Sequence, residues 1–312
     1  MTLGPLTVSR LGLGCNNFGS RLDLAGTRRV VDAALDVGIT LLDTADIYGN
    51  RSGSLVTGNL GGSERLLGEV LRGRRERVVL ATKFGGDMGG GREGGSPAYV
   101  RTAALASLRR LETDRIDLLY YHWPDEVTPI AETAGAMAEL VSEGLVRAIG
   151  VSNVSAAELR EAAAVAPIAA VQNEYSLLVR EPEREVLPLC REIGAGFVPY
   201  YPLTAGLLTG KYRPDAAPPA GARLADDGPL AQGDEVTPRA SADFALIDRL
   251  RTVAAGAGGS LVDLALGWLA SRPGVSCVIT GATTADQVRE NAAAMSRPLT
   301  DAELAAVEAA IA

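Results

Sequence analysis

Ile39-Thr40-Leu41-Leu42-Asp43 is a short apolar run that ends on a carboxylate, and the same pattern returns twice. Val78-Val79-Leu80-Ala81-Thr82-Lys83 ends on an ammonium, and Ile116-Asp117-Leu118-Leu119-Tyr120-Tyr121-His122 ends on the only histidine of the chain. Each run has the length and aliphatic content of a buried strand. Tyr48 follows the first run by five residues. Four proton-handling side chains at or just past strand exits read as one site assembled at one end of a barrel.

The rest of the chain carries the same rhythm. Strand-like runs fall at 11–14, 39–43, 77–83, 115–121, 146–151, 168–172, 196–201 and 275–279. Helical patterns fall near 25–37, 63–72, 97–111, 130–143, 156–164, 183–194 and 241–271, with 285–296 and 301–311 after the last strand. Ser155 and Glu158 form a capping box, and Gly38, Gly144 and Gly194 stand where helices need a left-handed terminus. Eight strands alternating with helices predict an α/β fold, a (β/α)8 TIM barrel, as a single domain over residues 1–312. Residues Leu3 to Val8, around Gly4-Pro5, predict an N-terminal β-hairpin cap at the barrel bottom. A doubly wound sheet competes, but its dinucleotide version needs three spaced glycines. Gly12-Leu13-Gly14 is followed by Cys15-Asn16-Asn17-Phe18, without the third. The long loops 49–62 and 212–240 leave the C-terminal face and are candidate lids.

Composition narrows the partners. An apolar share of 47% supports a large core, and the net charge of −8 argues against nucleic acid. No apolar run reaches the roughly 18 residues needed to cross a bilayer. The N-terminal residues lack the basic start and apolar core of a signal peptide, so a cytoplasmic protein is expected. Cys15, Cys190 and Cys277 are too scattered for a disulfide framework or a metal motif.

Singly, Asp43, Tyr48, Lys83 and His122 each have a bland explanation: a helix cap, a loop aromatic, a solvated strand end, a packed histidine. Together they have a chemical logic. A tyrosine with a pKa near ~10 is a poor acid at neutral pH, and a nearby ammonium is expected to lower it. A carboxylate holds that lysine in place. A neutral imidazole hydrogen-bonds a carbonyl oxygen and orients it. One histidine is too few for a metal centre. No Ser or Cys sits with a second base for acyl transfer.

Asp43-Thr44-Ala45-Asp46-Ile47-Tyr48-Gly49, Ala81-Thr82-Lys83, Tyr121-His122-Trp123-Pro124-Asp125, Gly150-Val151-Ser152-Asn153, Val171-Gln172-Asn173-Glu174-Tyr175 and the Gly281 to Asn291 segment run in one order along the chain. In this the sequence resembles the aldo-keto reductases, from about residue 8 to residue 295. The resemblance implies a (β/α)8 barrel and an NADP-dependent oxidoreductase acting on CH–OH and C=O groups. It would reduce aldehydes and ketones to alcohols by hydride transfer. Tyr48 would be the general acid, Lys83 and Asp43 its tuners, and His122 the carbonyl-orienting partner. Ser152, Asn153 and Gln172 match holders of the nicotinamide carboxamide, and Tyr200 the aromatic that stacks on the ring. Leu203, Gly206 and Lys211 match a stretch along the pyrophosphate. Thr283, Gln287, Glu290 and Asn291 match adenosine contacts.

Two departures from the family pattern stand out. Gly281 occupies a place where many members carry a basic residue for the 2′-phosphate of NADP; Arg289, Arg213 and Arg223 are possible substitutes. Tyr201 stands where serine is common and is expected to narrow the pyrophosphate channel. NADPH is the expected cofactor, with NAD the alternative. The expected partner is a small carbonyl compound, with an apolar or aromatic one suggested by Trp123, Phe18 and Tyr48. Two other readings stay open: an NAD-dependent sugar or secondary-alcohol dehydrogenase, and a nucleotide-sensing accessory subunit with slow reductase activity.

Overall fold

Eight parallel strands form the frame: β3 (Leu11–Gly14), β4 (Leu41–Asp43), β5 (Val79–Phe84), β6 (Ile116–Tyr121), β7 (Val146–Ser152), β8 (Ile168–Gln172), β9 (Gly196–Phe197) and β10 (Val278–Gly281). They pair in chain order, with β10 against β3. Between β9 and β10 the seam is closed by a Phe197–Val275 bridge and by Ile279 N donating to Pro199 O at 3.0 Å. The result is a (β/α)8 barrel. A computed structural model describes residues 1–49, 58–219, 222–224, 242–297 and 299–312. Much of both candidate lids therefore lies outside the described residues.

Two apolar layers hold the frame. Leu41, Ala81, Leu118, Tyr120, Ala148, Ala170 and Val198 fill the barrel interior, joined by Leu3 and Leu6 of the hairpin β1 (Thr2–Leu3) and β2 (Leu6–Thr7). The hairpin is thus the expected cap. The second layer packs helices on the outside of the sheet, among them α1 (Leu24–Asp36), α2 (Gly62–Val70), α3 (Pro97–Arg110), α4 (Ile130–Ser142), α5 (Ala156–Val165) and α6 (Val186–Ile193). Strand side chains alternate between these layers. Asp43, Lys83, His122, Ser152, Gln172 and Tyr200 each lie two or four residues beyond an interior side chain, so alternation places them on the inner side. Gly150 serves the same layer: a Cβ there would stand 2.6 Å from the Tyr120 ring.

Several boundaries differ from the sequence reading. The 241–271 stretch is two helices, α7 (Phe244–Gly256) and α8 (Leu261–Ser271). Gly258 breaks it in a left-handed conformation, and Ser260 restarts it with an Asp263 capping box. Strand 196–201 shortens to β9, beyond which Val198 N still donates to Val171 O at 2.8 Å and Tyr200 bridges Glu174. The last strand sits later than 275–279, and Val275 makes only the bridge. α9 (Ala285–Ser296) and α10 (Asp301–Ile311) complete the chain. The Ser155–Glu158 box and the left-handed glycines 38, 144 and 194 are as expected.

Candidate active site

The ends of β4 and β5 place a carboxylate beside an ammonium. Lys83 Nζ donates to Asp43 Oδ1, and to Thr44 O at 3.0 Å. Gln172 Nε2 donates to Asp43 Oδ2 at 3.0 Å. Lys83 is fully buried and Asp43 nearly so, a placement tolerated because both carboxylate oxygens have donors. Lys83 Nζ lies 5.2 Å from the centre of the Tyr48 ring, which meets His122 edge-on at 5.8 Å. The four residues expected to act together are together.

Tyr48 is held by groups that the sequence reading does not single out. Ser63 N donates to Tyr48 O at 3.1 Å, and Asn59 Nδ2 donates to Gly49 O at 2.8 Å. Gly49 has φ 114°, and a Cβ there would lie 2.6 Å from Gly62 Cα. The signal available was the glycine directly after Tyr48 and the Gly61-Gly62 pair beyond the loop.

Electrostatics separate the two rings. Burial first, and the Lys83 charge second, hold His122 well below the ordinary histidine range, so it is a neutral imidazole. Its Nδ1 is buried with no hydrogen-bond partner, and its ring stacks on Trp123 at 3.5 Å. Tyr48 departs from the expected lowering. Burial, then the Asp43 carboxylate, then the Tyr201 and Tyr200 phenols push it well above the ordinary tyrosine range. The physical reason is that the Lys83 ammonium is already committed to Asp43, so the pair offers the phenol little net positive charge. Tyr48 is therefore protonated across the neutral range.

A hydrogen-bond chain leads from this cluster to the next strands. Ser152 Oγ donates to Gln172 O at 2.6 Å, and Asn153 Nδ2 donates to Ser152 Oγ at 3.2 Å and to His122 O at 2.9 Å. Tyr200 Oη donates to Asn153 Oδ1 at 2.7 Å. Asn153 takes a left-handed φ of 57°, tolerated by asparagine, to make these contacts. Thus Gln172, Ser152, Asn153 and Tyr200 form one continuous wall with Asp43.

Beyond Tyr200 the wall turns basic. Leu203 leads into the turn Thr204–Thr209, where Gly206 has φ 96°. A Cβ on Gly206 would stand 2.9 Å from Lys211 Nζ, so the glycine makes room for that ammonium. Burial, then Arg223 and Arg21, lower the Lys211 pKa, which marks a cluster of cations. Arg223 Nη2 lies 3.0 Å from where a Gly281 Cβ would be, and its guanidinium sits 5.8 Å over the Tyr201 ring. Buried Ala222 and Leu224 flank it, and Tyr212 Oη accepts from Leu224 N at 3.1 Å. Of the other arginines expected there, Arg289 pairs with Asp286 at 2.8 Å and Arg213 is exposed.

The last cofactor-type residues gather at the start of α9. Thr284 caps it, accepting from Gln287 N at 3.2 Å, and Gln287 Oε1 accepts from Thr283 N at 2.8 Å. Asn291 is buried one turn on, and Glu290 is exposed beside it. Among the described residues, no group of three or more His, Cys, Asp or Glu is placed to hold a metal ion.

The Aldo/keto reductase family model matches residues 10–312. The solved glycerol dehydrogenase AKR11B4 from Gluconobacter oxydans superposes with a TM-score of 0.82 at 30% identity, covering 97% of this chain and 91% of that one. The aldo-keto reductase AKR11C1 from Bacillus halodurans, in its holo form, gives 0.79 at 33% identity, covering 98% and 93%.

Proposed function

Because that family model spans nearly the whole chain, the protein belongs to the aldo/keto reductase family and is an oxidoreductase; we propose that it reduces aldehydes and ketones to alcohols with NADPH, Tyr48 giving the proton. Most support comes from the continuous wall that joins the Asp43–Lys83 pair through Gln172, Ser152 and Asn153 to Tyr200. It ties the proton-handling end of the barrel to an aromatic face and amide groups suited to a nicotinamide.

A bound reduced nicotinamide supplies the hydride. His122, neutral and stacked on Trp123, is suited to hydrogen-bond the carbonyl oxygen and turn it toward Tyr48. Tyr48 then donates its proton to that oxygen. Lys83, 5.2 Å from the ring centre, faces the phenolate that this transfer leaves. Trp123 and Ile47, the latter packed against Gly86, supply apolar walls for an apolar or aromatic substrate. A cytoplasmic enzyme with a small-molecule partner is the matching cellular reading.

The basic wall fits the phosphates of such a cofactor. Lys211 and Arg223 point a positive field at the Gly281 edge, and Arg223 fills the space a basic side chain at 281 would use. A second reading, an NAD-dependent dehydrogenase of sugars or secondary alcohols, draws support from Gly281 itself and from the likeness to a glycerol dehydrogenase. Parallel titrations with NADPH and NADH, followed by tryptophan fluorescence, separate the two. Tighter NADPH binding, weakened roughly tenfold or more in Arg223→Gln, is expected; a charge-assisted bond is worth about 1.5–3 kcal/mol. Preference for NADH selects the dehydrogenase, and binding of neither nucleotide defeats both readings.

A further inference from the structure

A cavity of about 590 Å³ lies beside α2 and α3, and none of the tetrad lines it. Its walls include Leu60 from the segment before α2, Arg65 of α2, Met88 and Arg92 from the loop after β5, and Arg110 at the end of α3. The volume falls inside the roughly 300–1,000 Å³ typical of small-ligand sites.

Its charge is one-sided. Arg110 Nε donates to buried Glu64 at 2.6 Å, and its Nη2 to Ser107 Oγ at 3.1 Å. Among the described residues this is the only ion pair that the three arginines make. Arg65 Nη2 donates to Asn59 Oδ1 and Leu60 O, both at 3.0 Å. Arg92 donates to Gly89 O at 2.8 Å and to Met88 O at 2.5 Å. Among the described residues neither of these two guanidiniums makes an ion pair, each being held by neutral oxygens, in a protein whose net charge is −8. Asp87, an acid of the same loop, accepts from Gly89 N at 2.6 Å.

We propose that this cavity is a second binding site, for the oxyanion of a small molecule, a phosphate or carboxylate group held by Arg65 and Arg92. Guanidinium forks bind such groups through paired, charge-assisted hydrogen bonds. The site has a route to the first. Asn59, which orients Arg65, also donates to Gly49 O, and Ser63 N holds Tyr48 O. The oxyanion belongs either to the substrate itself or to a separate effector.

Calorimetric titration of the whole chain with inorganic phosphate, against chloride at matched ionic strength, tests the binding without reference to catalysis. A Lys211→Gln/Arg223→Gln background silences the cation cluster beside Gly281. Saturable phosphate binding is expected to survive in that background and to weaken at least tenfold on adding Arg65→Gln or Arg92→Gln. Both arginines are exposed, and a thermal melt verifies that the variants fold. Phosphate heats equal to the chloride blank, or unchanged in the Arg65→Gln/Arg92→Gln double variant, overturn the proposal.

The source of the oxyanion is read separately and rests on the reductase reading. A fall in kcat/KM for a carboxylated aldehyde relative to its neutral counterpart, in the double variant, assigns the oxyanion to the substrate. An unchanged ratio with phosphate binding lost assigns it to an effector. Absence of all turnover with phosphate binding intact defeats the reductase reading and leaves this site standing.

Discussion

Each end of the barrel buries a carboxylate on a strand, and the two are treated differently. At the bottom, Asp117 of β6 is 1% exposed and accepts from Leu80 N at 2.9 Å, Arg75 at 2.7 Å and Arg147 at 3.0 Å. Its cations come from outside and are partly hydrated. At the top, Asp43 is paired with a lysine that is itself wholly buried, among groups left short of partners: His122 Nδ1 and, nearby in sequence, Asp46 Oδ1. Buried polar atoms in native proteins are nearly always satisfied, so a buried imidazole nitrogen without a partner beside a buried ion pair is unusual. The bottom pair is partly hydrated, whereas the top pair is almost wholly enclosed.

That contrast is open to direct attack. Tyr48→Phe removes only a hydroxyl from the top. Turnover should fall by ~10²–10⁴-fold, the range of general acid catalysis, with nucleotide binding retained and stability changed by less than ~1 kcal/mol. Near-normal turnover in steady-state assays would remove the proton donor from the scheme. Lys83→Met leaves Asp43 buried without its cation and should lower stability by about 3–5 kcal/mol in denaturant titrations. Asp43→Asn on that background should recover part of the loss; if it recovers none, the two residues are not coupled as a pair. Asp117→Ala orphans the Leu80 amide, while Arg75 keeps its bonds to Thr113 Oγ1, Val78 O and Arg115 O. A loss of about 1–3 kcal/mol is expected with kcat unchanged, and a fall in kcat would blur the division between the two ends.

The smallest effect concerns pH. Glu174, beside Tyr200 in the β8–β9 bridge, has its carboxyl pushed up to about 7 by burial and then by Glu181. A folded-state pKa above the unfolded 4.5 means that the folded protein holds its proton more tightly. The associated stability is present below pH 4.5 and is lost as pH rises through about 7. Glu174→Gln should therefore raise the Tm at pH 8 relative to wild type, with little difference at pH 4.5. Equal shifts at both values would assign the effect to packing.

Much of this was legible beforehand because barrel strands announce themselves. Apolar runs ending on Asp43, Lys83 and His122 mark three strands and three candidate site residues at once, since alternation carries a strand-end side chain to the same inner side as its neighbours. Helix ends with local chemistry, Ser155–Glu158 and the glycines after helices, were equally readable. The break at Gly258 is also marked, by Gly256, Gly258 and Gly259, and the Ser260–Asp263 box restarts the helix, though apolar residues lie on both sides. Asn59 and Ser63 leave no such mark, because they act on backbone atoms of Tyr48 and Gly49, which no side-chain pattern records.

By itself, then, the sequence determined the strand runs, the hairpin under them and three of the four clustered side chains, because period-two alternation is local; Tyr48 followed from its place just past β4. Tertiary structure decided what depends on distance. The committed Lys83–Asp43 pair, with burial and the Asp43 carboxylate, holds the Tyr48 phenol up instead of down. Arg223, 58 residues from Gly281 in the chain, fills the place a basic side chain there would take. Charge acts through space over a few ångströms, and only the fold sets which charges come that close.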